Sequence, residues 1–216
     1  MTLIKALIQT HYPQRGDNIK IMVNDLIENG FKSEDIIVMR DYPRKYGFSS
    51  KEMVSEVPMP INWWHGVASV LDCDYVALLC DDLTLKPKSI ELLRDAAWEN
   101  SDIDVFGFEG GNFANTSNPY TDEKSHIVQS FEKADYVIRF YFAKPQAFAK
   151  TLELHHKLPL TLRGHDDITL SLANKCGLVP TTEDSGWIEL SEHGVAYSKR
   201  PEHYIERNAL INLVRS

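Results

Sequence analysis

The chain is poor in residues that make covalent or metal staples. It has three cysteines in 216 residues, an odd number without zinc-type spacing, which argues against a disulfide framework or a cysteine-based metal site. Two of the three fall in apolar runs, so Cys73, Cys80 and Cys176 are expected to be reduced core residues of a cytosolic protein. Long apolar runs are also missing. No window approaches the roughly 20 residues a membrane span requires, and MTLIKALIQTHYPQRG has too short an apolar segment for a signal peptide. A soluble, cytoplasmic protein with no stable membrane insertion is the expectation. Positive charge is in deficit, with 23 Lys and Arg against 31 Asp and Glu for a net charge of −8. That balance argues against extended nucleic-acid binding, although it leaves a modified DNA base among the acceptors. Repeats, low-complexity tracts and long linkers are absent, so residues 1–216 are expected to form a single domain.

What the chain does contain is a succession of buried-strand and helix signals. TLIKALIQT, at 2 to 10, reads as a buried strand, and HYPQRGD supplies a turn before an amphipathic helix at about 17 to 29 that Asn29 and Gly30 stop. DIIVMRDYP is a second strand. A polar loop, a helix from about 61 to 71 and the strand YVALLC at 75 to 80 follow. KPKSIELLRDAAWEN predicts a further helix and DIDVFGFEG a further strand. Strands alternating with helices imply an α/β fold with a mostly parallel central sheet flanked by helices. Past about residue 111 the alternation loosens into turn-rich GGNFANTSNPYTDEKSH and strand-like ADYVIRFYFAKP, giving a mixed α+β second half.

Two carboxylate pairs stand at element boundaries. Asp81 and Asp82 follow YVALLC, at the carboxyl end of a strand where open parallel sheets bind ligands. Adjacent carboxylates there repel and lose hydration, which a divalent cation offsets. Helix capping accounts for one of them at most, since the next helix starts nearer Pro87. Asp166 and Asp167, in RGHDDITLSLANKCG, open a helix marked by Ile168, Leu170 and Leu172, where the helix dipole favours negative charge. Capping suffices for Asp166. The repeated arrangement points to one pair binding metal and the other abstracting a proton.

An early βαβ unit, LLCDDLTLKP with a helix behind it, and the later HDDITLSL resemble nucleotide-sugar-dependent glycosyltransferases of the GT-A fold, particularly family 2. The resemblance runs over about residues 3 to 207, and it departs from the family in having Cys-Asp-Asp-Leu in place of Asp-x-Asp. It implies a UDP-sugar donor, a hydroxyl acceptor, Mn²⁺ or Mg²⁺ as cofactor, and inversion. By the same resemblance Asp82 binds metal, Asp81 contacts the donor ribose or the metal and its water shell, and Asp167 is the catalytic base with Asp166 beside it. The end of the first strand, Gln9, Thr10, His11 and Tyr12, corresponds to the grip on the nucleotide base. Asp41 corresponds to the acid that bonds ribose or uracil, with turn formation as its plainer role. His193 and His203, in SEHGVAYSKRPEHYIER, are choices for the family's late metal-binding histidine. Lys199, Arg200 and Arg207 are expected to clamp the diphosphate, against a plain solvated face. Trp63 or Trp64 offers a stacking surface, although aromatics at a helix start more often serve a core. GFEGGNF lets backbone approach the donor sugar. About 1–111 would then hold the nucleotide sugar and about 112–216 the acceptor.

Two rival classes stay open. A nucleotidyltransferase also combines a parallel sheet, a metal and a nucleotide, but commonly carries a glycine-rich phosphate loop, and HYPQRGD has only Gly16. A non-catalytic nucleotide- or carbohydrate-binding module would carry the same pockets without turnover.

Overall fold

The computed structural model describes residues 2–10, 16–40, 51–54, 70–113, 128–159, 162, 166–190 and 201–215; the side chains of 51–54, 166–167 and 201–204 lie outside that description. The sheet begins with β1 (Ile4–Thr10), β2 (Ile36–Arg40), β3 (Lys51–Val54) and β4 (Tyr75–Cys80). These four run parallel in the order β3-β2-β1-β4. Their apolar runs are continuous because both faces are covered. Ala6, Ile8, Val38, Ala77 and Leu79 enter one core cluster, while Leu7, Ile37, Val76 and Leu78 enter another on the opposite face.

Helix α1 (Gly16–Glu28) covers the first of these faces with Ile19, Met22, Val23 and Leu26. It stops where the sequence places a stop. Gly30 takes φ 91°, and the Gly30 and Phe31 N–H groups donate to the Ile27 and Leu26 carbonyls, a Schellman cap. Helix α2 (Ser89–Glu99) buries Ser89, Leu93 and Ala97, one side chain per turn. A three-residue strand, β5 (Leu83–Leu85), precedes it and pairs with β12 (Trp187–Glu189) in a small separate sheet. Pairing with a distant segment makes Leu83–Leu85 a strand.

Strands from before and after residue 111 alternate in the rest of the sheet. Its order continues β4-β10-β6-β11-β8, through β6 (Val105–Gly107), β8 (Glu132–Ala134), β10 (Phe140–Ala143) and β11 (Cys176–Leu178). Six of the eight strands share one direction, and β8 and β10 oppose it. The segment expected as one strand, ADYVIRFYFAKP, is split by Arg139 at φ 67°. The resulting β9 (Tyr136–Val137) leaves the main sheet to pair with β7 (Gly110–Gly111). Helix α3 (Pro145–Lys157) has proline in its first turn and His155, His156 and Lys157 in its last, a polarity that suits the helix dipole. The final helices are α4 (Asp166–Ala173) and α5 (Pro201–Arg215). No helix among the described residues is long and apolar enough to cross a membrane.

Candidate functional site

The parallel strands β1, β2 and β4 end side by side, with Thr10 opposite Arg40 and Gln9 opposite Cys80. Thr10 and Asp81, predicted separately, meet there. The Thr10 hydroxyl donates to Asp81 Oδ2 at 2.8 Å, with both side chains buried. Asn18 Nδ2, from the first turn of α1, reaches the Asp81 carbonyl at 3.3 Å. Asp81 is only 4% exposed, and its neighbour differs. Asp82 is half-buried, and its carbonyl accepts the Leu190 N–H at 2.7 Å. In the turn between β4 and β5 the first carboxylate is thus held against β1, while the second residue keeps part of its surface open to solvent. Gln9 is also half-buried, and its Nε2 is buried without a hydrogen-bond partner. Cys80, expected in the core, is exposed, because it is the last residue of β4 and falls where the sheet edge opens. Cys176 is buried as expected, and burial pushes its thiol up to about 12.

Farther along the same edge lies a group that the sequence reading did not single out. Glu109 follows β6 and is nearly buried, Arg139 immediately precedes β10, and Glu189 ends β12. Arg139 Nε is 3.2 Å from Glu109 Oε2, and its Nη1 is 4.0 Å from Glu189 Oε2. The guanidinium also lies over the Trp187 ring, 4.8 Å from the centroid. The available signals were an acid within the glycine-rich GFEGG and a cation interrupting an apolar strand. Arg40, 1% exposed at the end of β2, is a further buried cation on this edge that was not foreseen.

The glycines of GFEGGNF have a packing role in the fold. A Cβ on Gly110 would overlap the Tyr136 carbonyl, so the glycine is needed for the close pairing of β7 with β9, and the space beside it is filled by protein. Tyr136 is fully buried there. Burial pushes its phenol up, and the charges of Glu109 and Asp135 add to that.

Helix α4 begins at Asp166, as the sequence predicts for the second carboxylate pair. The side chains of Asp166 and Asp167 lie outside the described residues. What fixes the helix is visible farther along it. Ile168 packs in one cluster with Tyr136 and Ile138, the residues leading into Arg139. Asn174 Nδ2 reaches the Leu170 carbonyl at 2.8 Å, Thr151 Oγ1 at 3.0 Å and the Ala147 carbonyl at 3.1 Å, which ties α4 to α3. Arg207, on α5, is 4% exposed, so the solvated-face reading of this residue does not hold. His11, Tyr12, Asp41, Trp63, Trp64, His193, Lys199 and Arg200 lie outside the described residues, as does the side chain of His203.

Among the described residues no three His, Cys, Asp or Glu side chains gather in a metal-binding cluster. Asp81 and Asp82 nevertheless fit Mg²⁺ or Mn²⁺. They offer hard oxygen donors, and such ions are commonly held by one or two carboxylates with substrate phosphates and water completing the shell.

No family model matches the chain, and no curated protein matches it in sequence. Solved structures do match its fold. GalNAc-T7 with UDP, GalNAc and Mn²⁺ is 12% identical, with a TM-score of 0.66 over 98% of this chain and 48% of its own. S. aureus TarS 1-349 in complex with UDP-GlcNAc is 14% identical, with a TM-score of 0.57 over 98% of this chain and 65% of its own. A further S. aureus TarS structure is 12% identical, with a TM-score of 0.58 over 98% of this chain and 39% of its own. The chain thus spans between 39% and 65% of the length of these structures. The likeness establishes the GT-A-type glycosyltransferase fold expected from LLCDDLTLKP and HDDITLSL.

Proposed function

Starting from a GT-A-type fold whose β1 and β4 ends join Thr10 to a buried Asp81, we propose that the chain is a glycosyltransferase. It moves a sugar from a UDP-sugar to a hydroxyl acceptor with inversion. The observation that carries this reading is the Thr10–Asp81–Asp82 corner. It supplies oriented carboxylates where the loops of a parallel sheet receive ligands. Two neighbours of the same fold hold UDP-GlcNAc in one case, and UDP, GalNAc and Mn²⁺ in the other.

In this reading Gln9, Thr10, His11 and Tyr12 border the base, and Asp41 accepts from the ribose or uracil. Asp81 faces the ribose or the metal and its water shell. Asp82, joined later by His193, would hold Mn²⁺ or Mg²⁺. His193 follows Leu190 by three residues, and the Leu190 N–H is bonded to the Asp82 carbonyl, which favours His193 over His203. The bound cation would neutralise charge on the departing diphosphate. Lys199, Arg200 and Arg207 contribute further positive charge for it. Asp167 takes the proton of the acceptor hydroxyl. The acceptor oxygen then forms its bond to the anomeric carbon from the face opposite the diphosphate as the old C–O bond breaks, and UDP leaves with the electron pair. Residues 1–216 act as one domain, with 1–111 contributing most donor contacts and 112–216 the acceptor side.

The test is UDP release from a panel of UDP-sugars, with Mn²⁺ and with chelator, together with calorimetric binding of UDP. Metal-dependent binding and slow metal-stimulated hydrolysis are expected. UDP binding without turnover on any donor or acceptor would return the chain to a binding module, and failure to bind UDP would remove the reading. His193→Ala should weaken Mn²⁺ binding more than His203→Ala.

A further inference from the structure

The corner formed by Thr10, Asp81 and Asp82 leaves the other half of the sheet edge without a task. Glu109 is the unusual residue there. Its side chain is 9% exposed, and its Oε2 is buried with no hydrogen bond. Arg139 supplies charge at 3.2 Å, out of hydrogen-bond alignment, so the carboxylate keeps acceptor capacity. Buried acceptors are nearly always bonded, and exceptions are concentrated at strained or functional positions.

Register places this carboxylate close to the proposed donor corner. Phe140 pairs with Leu79 of β4, so Arg139 stands beside the end of the strand that leads into Asp81. Glu189 pairs with Leu83, and the next residue, Leu190, donates to the Asp82 carbonyl. Arg139 spans the gap, reaching Glu109 on one side and Glu189 on the other. It does so from the left-handed backbone region, at φ 67°, which a side chain other than glycine enters only under constraint from its surroundings. Strain of this kind gathers at ligand sites.

We propose that Glu109, held in place by Arg139, accepts hydroxyl hydrogens of the sugar carried by the donor, and that the site selects a neutral sugar over an acidic one. This inference rests on the UDP-sugar reading. A carboxylate has about four lone-pair sites, enough to take two neighbouring hydroxyls while facing Arg139. The group contains two carboxylates and one guanidinium, so a sugar bearing its own carboxylate would meet excess negative charge, whereas hydroxyls would meet acceptors. Arg139 is a positioning residue, acting through Glu109.

The experiment compares calorimetric affinities for UDP, UDP-glucose, UDP-GlcNAc and UDP-glucuronate in Mn²⁺, for the wild type, Glu109→Gln and Arg139→Gly. The wild type should bind at least one of the two neutral sugar nucleotides more tightly than UDP, and UDP-glucuronate no more tightly than UDP. Both variants should bind UDP as the wild type does but lose about 10- to 100-fold of the neutral-sugar advantage, the range for a hydrogen bond to a charged group. Arg139→Gly relieves the backbone at φ 67° but strips the Glu109 carboxylate of its ion pair, so its melting temperature should fall; lost sugar discrimination with UDP affinity unchanged separates positioning from a structural role. A Glu109→Gln protein that retains the wild-type advantage, or a wild type that prefers UDP-glucuronate, overturns the inference while unchanged UDP binding leaves the UDP-sugar reading standing. A wild type that does not bind UDP removes both.

Discussion

The two halves of the site edge are built by different means. At the ends of β1 and β4 a neutral hydroxyl, Thr10, bonds one buried carboxylate, and long parallel strands hold both residues in register. At the ends of β6, β10 and β12 an arginine stands between two glutamates, on strands of three or four residues joined through a left-handed turn. The first arrangement follows from local sequence, because a continuous apolar run ending in polar residues both makes the strand and marks its mouth. The second carries no such local mark, because its strands are short and its arginine interrupts an apolar run. Charge and backbone constraint do there what strand length does elsewhere.

The largest effects are expected from neutralising the proposed base on α4 and the carboxylate of the donor corner in turn. Asp167→Asn should lower single-turnover transfer by about 10²- to 10⁴-fold, the usual cost of losing a positioned general base, with donor affinity near wild type and Asp166→Asn milder. Near-normal transfer would remove Asp167 as the base and the argument for inversion with it. Asp82→Asn should fail in the opposite way, with UDP binding in Mn²⁺ weakened by at least about 100-fold, beyond the range seen for groups that merely support metal ligands. Unchanged calorimetry with and without chelator would reduce the Asp81–Asp82 pair to a turn.

Stability measurements sharpen the contrast on a smaller scale. Thr10→Val removes a hydrogen bond to a buried carboxylate and should cost about 1.5–3 kcal/mol in urea unfolding. Gly110→Ala should cost about 1–3 kcal/mol through overpacking against Tyr136. An alanine tolerated at 110 would show that β7 and β9 can separate. The smallest effect is alkaline. Burial holds the Cys176 thiol protonated, up to about 12 against an ordinary 9.0. The unfolded chain therefore releases this proton first, and its stabilising share is complete below pH 9 and declines as pH rises toward 12. Urea midpoints of the wild type should fall more steeply between pH 9 and 10.5 than those of Cys176→Ala.

β1, α1, β2 and β4 were legible because periodicity and punctuation agree in them, whereas β3 falls in the stretch expected as a polar loop, and the helix expected at about 61 to 71 lies largely outside the described residues. YVALLC is β4 residue for residue, and Asn29–Gly30 ends α1 with the cap its sequence implies. The start of α4 at Asp166 was equally readable from a carboxylate pair preceding an apolar repeat. Pairing partners were not. β5 and β12 are three residues each and become strands only by meeting one another, and a local pattern carries no information about a partner a hundred residues away. Glu109 escaped notice because its importance lies in burial beside Arg139, and Arg139 because its residue type conceals a backbone conformation that glycine would have announced. Cys80 was misplaced for a similar reason: apolar neighbours describe the strand, and the last residue of the strand belongs to the rim.

The hydrogen bond from Leu190 to the Asp82 carbonyl bears on how the protein is made. Its partners lie half a chain apart, and β10 and β11 must also enter the sheet before the edge is closed. Such pairings have high loop-closure entropy and form late. On a chain made from its N-terminus, β1, β2 and β4 are complete before β12 exists, so the Thr10–Asp81 contact can form before anything joins Asp82. A ribosome-bound intermediate stalled before residue 187 would therefore carry the early corner without the late half of the edge, and limited proteolysis of such a species should cut the unpaired β5 segment faster than in the finished protein.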